Sequence, residues 1–481
     1  MAAYFSPETL RFLLFQVHNL EEILALPHFA DHDAESVLLM LDAVKDFADQ
    51  ELYPVFREMD EQPAHFHAGE IITHPKLGNI LRQAASLGLV GSAFDFSDGG
   101  MQIPRMVDTA NYFIMDAANN NIAGYTGLTS GAAELIIHFG SQALKDAYVP
   151  KMVSGDWGGT MCLTEPQAGS SLSDLVTTAY PQADGTYKIK GQKIFISGGD
   201  HQHAENMVHL LLARIEGAPA GTKGISLFVV PKKRITEAGL VANDVLTAGD
   251  FQKMGQRGYC TTHLVFGEND GCTGYLVGQP HHGLGYMFLM MNGARIGVGR
   301  GAVAIASAAY HASLQYAKER PQGRRLSNDG KKDATQEPCL IIEHADVRRM
   351  LFLQKAIYEG SLSLVLQSSY YLDQYTRGSE ATREKYNLLL EILMPVTKTY
   401  PSEKGKQAVD NGLQVLGGYG FCSDFVLQQY YRDIRIFSIY EGTTGIQSLD
   451  LLVAENDDGK WQSMEIPFGG NTRNRAKSQS I

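Results

Sequence analysis

The hydrophobic period of this chain changes twice along its length, and that double change limits the possible folds more than any single residue does. From Pro7 to about Val153 apolar residues recur every three or four positions, as in Val37, Met40, Leu41, Val44, Phe47 and Ala48, which is the helical period. After Trp157 the texture becomes short β-rich runs, Tyr187 to Ile189, Ile194 to Ile196, Val208 to Ala213 and Ile225 to Val230, divided by Gly, Pro and Asp clusters. From Gly283 the helical period returns and persists to about Ala454, with long segments expected at 284–319, 343–375 and 382–416. Strands do not alternate with ten-residue helices, so a nucleotide-binding βαβ sheet is disfavoured. The expected fold is therefore α+β and multidomain. It has an all-helical domain over 1–157, an antiparallel β domain over 158–278 and a helical bundle over 279–454, then a polar tail, 455–481, expected to be disordered.

Composition narrows the function classes. A formal charge of −12 over 481 residues gives no bulk attraction to a nucleic-acid backbone. The five cysteines, Cys162, Cys260, Cys272, Cys339 and Cys422, are odd in number and lack CxxC spacing, so neither a disulfide framework nor a zinc site is expected. His201, His203 and His209 look at first like a metal cluster, since HxH on a strand puts two imidazoles on one face, but no further ligand stands at clear spacing and no metal is expected. The first residues lack a basic n-region, and no apolar run reaches the roughly 18 residues that span a bilayer. A cytoplasmic protein without membrane contact is expected.

Two stretches carry chemistry. In TMCLTEPQAGSSLSDLVTTA, 160–179, hydroxyls, glycine and proline interrupt an apolar strand. Thr164 can donate to a heteroaromatic ring, and the Gly169–Ser170–Ser171 turn offers N–H groups to an anion. A polar surface turn would have the same composition. In IYEGTTGIQ, 439–447, Glu441 follows mostly apolar residues, so it can occupy an apolar pocket that raises its pKa toward the range of a general base. A helix cap or dipole partner is the competing role for such a carboxylate. Gly293, Gly297 and Gly301 recur every four residues on the first long helix of the last third and present a smooth face for a neighbouring helix. GVGRGA, 297–302, lacks GxGxxG spacing and a preceding strand, so nicotinamide binding is not expected.

TEPxAGS, GxKxxIS at 191–197, and GGYGF followed by RDxRIxxIYEGTxxIQ occur together in one order. In that order they resemble the acyl-CoA dehydrogenase family from about residue 80 to 453, most like its long-form, methylthiopropanoyl-CoA-dehydrogenase-like branch. The resemblance implies a helical N-terminal domain, a central antiparallel β domain and a C-terminal four-helix bundle, with FAD between the last two. Met161, Cys162, Leu163, Thr164, Gly169 and Ser170 would line the flavin and its pyrophosphate, and Phe195, Ile196 and Ser197 would cover its other side. Arg320, Gln414, Gly417 and Gly418 match the family's contacts to the FAD of a neighbouring subunit, which implies a homodimer or homotetramer. Thr443 and Thr444 would face the cofactor. Ser170, Asn292, Arg295, Tyr440 and Gly442 stand where the family meets acyl-CoA.

In that frame Glu441 is the catalytic base. It would remove the α-proton of an acyl-CoA thioester as hydride leaves the β-carbon for flavin N5, giving a trans-2-enoyl-CoA. The Glu441 N–H and a ribityl hydroxyl of FAD would stabilise the developing enolate. Electrons would pass to an electron-transfer flavoprotein. An oxidase of the same fold would use oxygen instead, and a non-catalytic alkylation-response-type flavoprotein would bind DNA, against which the charge of −12 counts. Asn292, Gln322 and Gly445 depart from common family residues, and the roughly one hundred further helical residues of long-form relatives are not expected after Ala454.

Overall fold

The computed structural model describes residues 3–453 apart from Asn328; the expected disordered tail lies outside the described residues. The first third holds α1 (Pro7–Phe12), α2 (Leu20–Leu24), α3 (Ala34–Phe47), α4 (Phe56–Glu61), α5 (Leu77–Ser86), α6 (Arg105–Asn119), α7 (Ala123–Phe139) and α8 (Gln142–Val153). Asp33 and Ser36 cap α3 reciprocally, each side chain satisfying the other's backbone N–H. This third is not purely helical. A hairpin of β1 (His65–His67) and β2 (Glu70–Ile72) interrupts it, turning on Ala68 and Gly69, both at positive φ as a tight hairpin turn requires.

The middle of the chain is β-sheet: β3 (Trp157–Cys162), β4 (Thr178–Pro181), β5 (Tyr187–Ser197), β6 (Asn206–Ile215), β7 (Ile225–Pro231), β8 (Lys233–Thr236), β9 (Gly239–Ala242), β10 (Val245–Asp250), β11 (Thr261–Phe266) and β12 (Thr273–Val277). The two runs expected at 187–189 and 194–196 are one strand. The sheet order is β10-β11-β5-β12-β7-β6-β3, with β4 against β5 and β6. It is mixed rather than wholly antiparallel, because β3 and β4 both run parallel to β6. Parallel neighbours need a long crossover, and the excursion from Glu165 to Glu205 supplies it for β3 and β6. Successive residues of β6 enter two different cores. Val208, Leu210 and Leu212 pack toward the side of α7 and α8, and Leu211 and Ala213 toward Ile189, Phe228 and Leu264. A strand buried on both faces reads as a continuous apolar run.

The last third contains α9 (Gly283–Glu319), α10 (Ala345–Arg377), α11 (Glu380–Leu416), α12 (Leu427–Asp433) and α13 (Thr444–Val453). Three long helices, not four equal ones, make this bundle, and α6 from the first third packs on α9 and α10. One apolar core therefore joins the N-terminal helices to the bundle. The glycine row of α9 does not behave as a uniform helix-packing face. A Cβ at Gly301 would press on the Phe437 ring, whereas one at Gly293 would meet open space and one at Gly297 only the Arg300 guanidinium. Gly299, off that row, makes the close approach to the α11 backbone at Thr397.

Candidate active site

Glu441 sits on a turn that few sequences tolerate. Its φ is +52° and that of Gly442 is +81°, so two successive residues are left-handed, the first carrying a full side chain. The surroundings hold this turn by its carbonyls. Lys398 Nζ donates to the Gly442 carbonyl oxygen at 2.7 Å, and Gln447 Nε2 donates to that of Glu441 at 3.0 Å. A Cβ on Gly442 would stand 2.6 Å from Gln447 Nε2, so glycine is required there by space as well as by φ. Glu441 is no helix cap: it precedes α13 by three residues, and Thr443 Oγ1 is the group that accepts from Ile446 N. Its own N–H has no acceptor among the described residues.

The electrostatics suit a base. Burial raises the Glu441 carboxyl above its ordinary range, while the cations Lys398 and Arg295 pull it back. The side chain keeps part of its surface open although protein encloses it closely, so the desolvation acts on a group that can still meet a substrate. Lys398 is fully buried, and burial brings its pKa down to about 8 against the opposing pull of Glu441 and Glu403. Arg295 is buried and paired with Asp450 of α13. Thr444 donates to Glu403 Oε1 at 2.6 Å, which ties the start of α13 to α11.

A second surface lies on the β domain. A buried ion pair organises it: Lys193 Nζ donates to Glu165 Oε1 at 2.8 Å and to the Leu163 carbonyl at 2.9 Å. Glu165 also accepts the N–H groups of Val176 and Thr177. Burial pushes the Glu165 carboxyl up, but Lys193 and the donors around Val176 and Thr177 outweigh it, so the group stays ionised. This pair clamps the loop carrying Thr164, Gly169 and Ser170 onto β5, where the Ile194 N–H also donates to the Thr164 carbonyl. A register shift between β11 and β5 accompanies a φ of +56° at Phe195, whose ring is 56% exposed and packs 4.4 Å from Phe251.

These features fit a flat heteroaromatic cofactor with an anionic tail. The Thr164 hydroxyl has no partner among the described residues, Gly169 has open space where a Cβ would point, and Phe195 offers an exposed ring. Two expected contacts need correction. The side chains of Cys162 and Ile196 face away into the apolar core between the sheet strands, because neighbours of Met161, Leu163, Phe195 and Ser197 on a pleat point to the opposite side. Only their backbones can line a ligand.

Other expected residues form a separate cluster. The Arg320 guanidinium stacks 5.5 Å from the Tyr419 ring, beside exposed Gln414, Gly417 and Gly418 at the end of α11. Arg320 ends α9, about 37 Å along the helix from Arg295 at 1.5 Å per residue, so the two cannot serve one end of one ligand. Asn292 is exposed on the open side of α9 and Tyr440 lies half-buried next to Glu441. His201 and His203 lie on a turn, not a strand. Their rings are 6.3 Å apart, His201 meets Tyr125 edge-on, and His209 bonds Thr160 Oγ1 at 2.7 Å. Lys398, Gln447 and the Glu165–Lys193 pair were not legible as site residues. Signals existed: Glu165, Lys193 and Gln447 are fixed letters of the motifs TEPxAGS, GxKxxIS and IYEGTxxIQ, and Lys398 falls on the buried stripe Leu390, Met394, Ser402, Gly405 of α11.

Residues 34–156, 160–268 and 281–454 match the N-terminal, middle and C-terminal domain models of acyl-CoA dehydrogenases. The chain is 38% identical over 447 residues to 3-methylmercaptopropionyl-CoA dehydrogenase of Ruegeria pomeroyi, covering 92% of this chain and 75% of that protein. It is 36% identical over 451 residues to the broad-specificity linear acyl-CoA dehydrogenase FadE5 of Mycobacterium tuberculosis, covering 91% and 73%. The solved butyryl-CoA dehydrogenase of Megasphaera elsdenii superposes with a TM-score of 0.71 at 23% identity, covering 88% of this chain and 98% of that one, and so speaks to the fold alone. No helix among the described residues is long and apolar enough to cross a membrane. The left-handed turn at Glu441 and the clamped hydroxyl loop stand within three consecutive domain matches, and the chain belongs to the acyl-CoA dehydrogenase family.

Proposed function

We propose that this chain dehydrogenates the α,β bond of an acyl-CoA thioester to the trans-2-enoyl-CoA, with FAD as cofactor and Glu441 as the base. The observation that carries the reading is the pinned turn at Glu441. It combines a carboxylate with a raised pKa and an adjacent free N–H, the two groups needed to take an α-proton and to stabilise the enolate oxygen. FAD, when bound, supplies the acceptor for the hydride that leaves the β-carbon. Thr164, Ser170 and Ser197 hold the ring and pyrophosphate, and Phe195 shields one ring face. Lys398 keeps the Glu441 turn in register and moderates its basicity. Asn292, Arg295 and Gly442 meet the CoA and thioester end, and Thr443 and Thr444 fix the approach of α13.

The cluster of Arg320, Gln414, Gly417 and Gly418 is too far along α9 to join this site, so it serves the cofactor of a second subunit in a homodimer or homotetramer. Electrons leave to an electron-transfer flavoprotein. Anaerobic titration of the purified protein with acyl-CoAs from propanoyl to palmitoyl, and with methylthiopropanoyl-CoA, tests the reading. Bleaching of the visible flavin band by one class of thioester supports it; a flavin that no thioester reduces would contradict it.

A further inference from the structure

Arg295 is a buried cation that acts on two carboxylates. Its guanidinium reaches from α9 to pair with Asp450 on α13, and its side chain is 9% exposed whereas that of Asp450 is 40% exposed. The Nε of the same guanidinium is buried and has no acceptor among the described residues. An arginine does not lose its proton in a protein, so a buried guanidinium keeps its charge at every working pH and needs an anion beside it. Asp450 supplies that anion from the solvent edge.

The other carboxylate is Glu441. Burial raises its pKa, and Lys398 from α11 and Arg295 from α9 act against that rise. Tyr440 beside it and Tyr259 ahead of β11 also feel its charge, but burial holds both phenols well above their ordinary range, so neither is ionised. Arg295 in turn repels Lys398, which Glu441 and Glu403 support. The state of Glu441 is thus balanced by two cations, and one of them is shared with Asp450. Since α13 begins at Thr444, Asp450 lies about 9 Å further along its axis, away from Glu441. At that remove a partly exposed carboxylate is largely screened from Glu441, and its influence passes through Arg295.

We propose that Asp450 is a positioning residue of the base: by holding the Arg295 guanidinium on α13, it keeps that cation from closing on Glu441, whose carboxylate stays free to accept a proton. The inference rests on the reading of Glu441 as the base and adds a residue three positions beyond the end of the IYEGTxxIQ motif. A guanidinium at contact distance occupies the lone pairs of a carboxylate and weakens it as a base, so a second anion for Arg295 preserves basicity.

The test follows the protonation of Glu441 directly, by infrared difference spectra of the FAD-loaded protein across pH, with the carboxyl band assigned by its absence in Glu441→Gln. Asp450→Asn keeps the side-chain shape and removes the charge. With Arg295 released toward Glu441, the midpoint should fall by on the order of 0.5–1 pH unit. In an Arg295→Met background the same change should move the midpoint far less, because the cation that transmits the effect is gone. Asp450→Glu, which retains the charge, should keep the wild-type midpoint. The acid limb of kcat/KM should follow to lower pH in Asp450→Asn, with kcat down about 2- to 10-fold as the base weakens. A residue that merely held α13 in place would alter the melting temperature and leave the Glu441 midpoint where it is. A midpoint in Asp450→Asn that is unmoved or higher, or an equal shift with and without Arg295, would overturn the proposal. The titration needs no thioester, so the expected shifts in a protein whose flavin no acyl-CoA reduces would keep the coupling of Asp450, Arg295 and Glu441 and remove the dehydrogenase reading instead.

Discussion

The ammonium group of Lys398 reaches across from α11 to the carbonyl oxygen of Gly442, 2.7 Å away, and so anchors the turn on which Glu441 stands. A lysine with no exposed surface is unusual, and its charge is kept by that carbonyl and by the carboxylates of Glu441 and Glu403.

Replacing Lys398 with Met keeps the stem and removes the donor and the charge. Loss of a hydrogen bond from a charged group is worth about 1.5–3 kcal/mol, so kcat should fall roughly 10- to 100-fold. The cation normally lowers the Glu441 pKa, so its removal moves the acid limb of the kcat/KM profile to higher pH. In wild type the same effect begins as Lys398 loses its proton near pH 8. A profile whose acid limb is unmoved in the variant would separate Lys398 from the base.

Gly442→Ala introduces a methyl group at φ +81°, 2.6 Å from Gln447 Nε2. Left-handed strain for a non-glycine residue is of order 1–2 kcal/mol before the clash is counted. The variant should lose turnover far more than it loses thermal stability, since the turn lies at the site and not in the core. Full activity would show that the turn has room to move.

The buried Glu165–Lys193 pair predicts an asymmetric response. Lys193→Met strands a buried carboxylate and should destabilise the protein by about 3–5 kcal/mol, with loss of FAD during gel filtration. Adding Glu165→Met should recover most of the stability, because an apolar pair of similar volume needs no compensation. FAD retention should stay poor even so, because the loop of Thr164 and Ser170 has lost its clamp. Denaturant melts and flavin-to-protein absorbance ratios check both halves; retention returning together with stability would contradict the clamp.

Burial lowers the pKa of His201 to about 4 and that of His209 to about 3, from the ordinary 6.5. Below pH 6.5 the unfolded chain binds protons that the folded one refuses, so stability falls as pH drops and levels off only below about pH 3. At about 1.4 kcal/mol per unit, each histidine accounts for roughly 3 kcal/mol by pH 4. His209→Asn retains a partner for Thr160 and should flatten this acid decline even if it weakens the protein at pH 7. Urea melts at pH 7 and pH 4.5 would show equal declines in both proteins if His209 were not responsible.

The sequence disclosed the two changes of period and the three long helices of α9 to α11, and it singled out Glu441 as the candidate base, because each depends on local pattern or on a contiguous motif. It did not disclose the parallel pairing of β3 and β4 with β6, since strand direction depends on how a long crossover returns and not on the strand's own residues. Cys162 and Ile196 were expected at the cofactor together with their neighbours in the same motifs, yet their side chains lie in the apolar core. A pleat sends adjacent side chains to opposite faces, and a one-residue choice of face is invisible until strands are paired. Lys398 is hidden for a related reason: a charge inside an apolar helical stripe could equally have turned outward, and only the packed partners fix it.

In the proposed reaction Glu441 removes the α-proton. The measurement that tests it most directly is anaerobic stopped-flow reduction of the bound flavin by a good acyl-CoA in wild type and Glu441→Gln, which keeps the side-chain volume and lacks the base. The variant should retain FAD and bind the thioester, while the rate of flavin bleaching falls by several orders of magnitude. Bleaching at near wild-type rate would remove Glu441 from the mechanism and place the base on another residue.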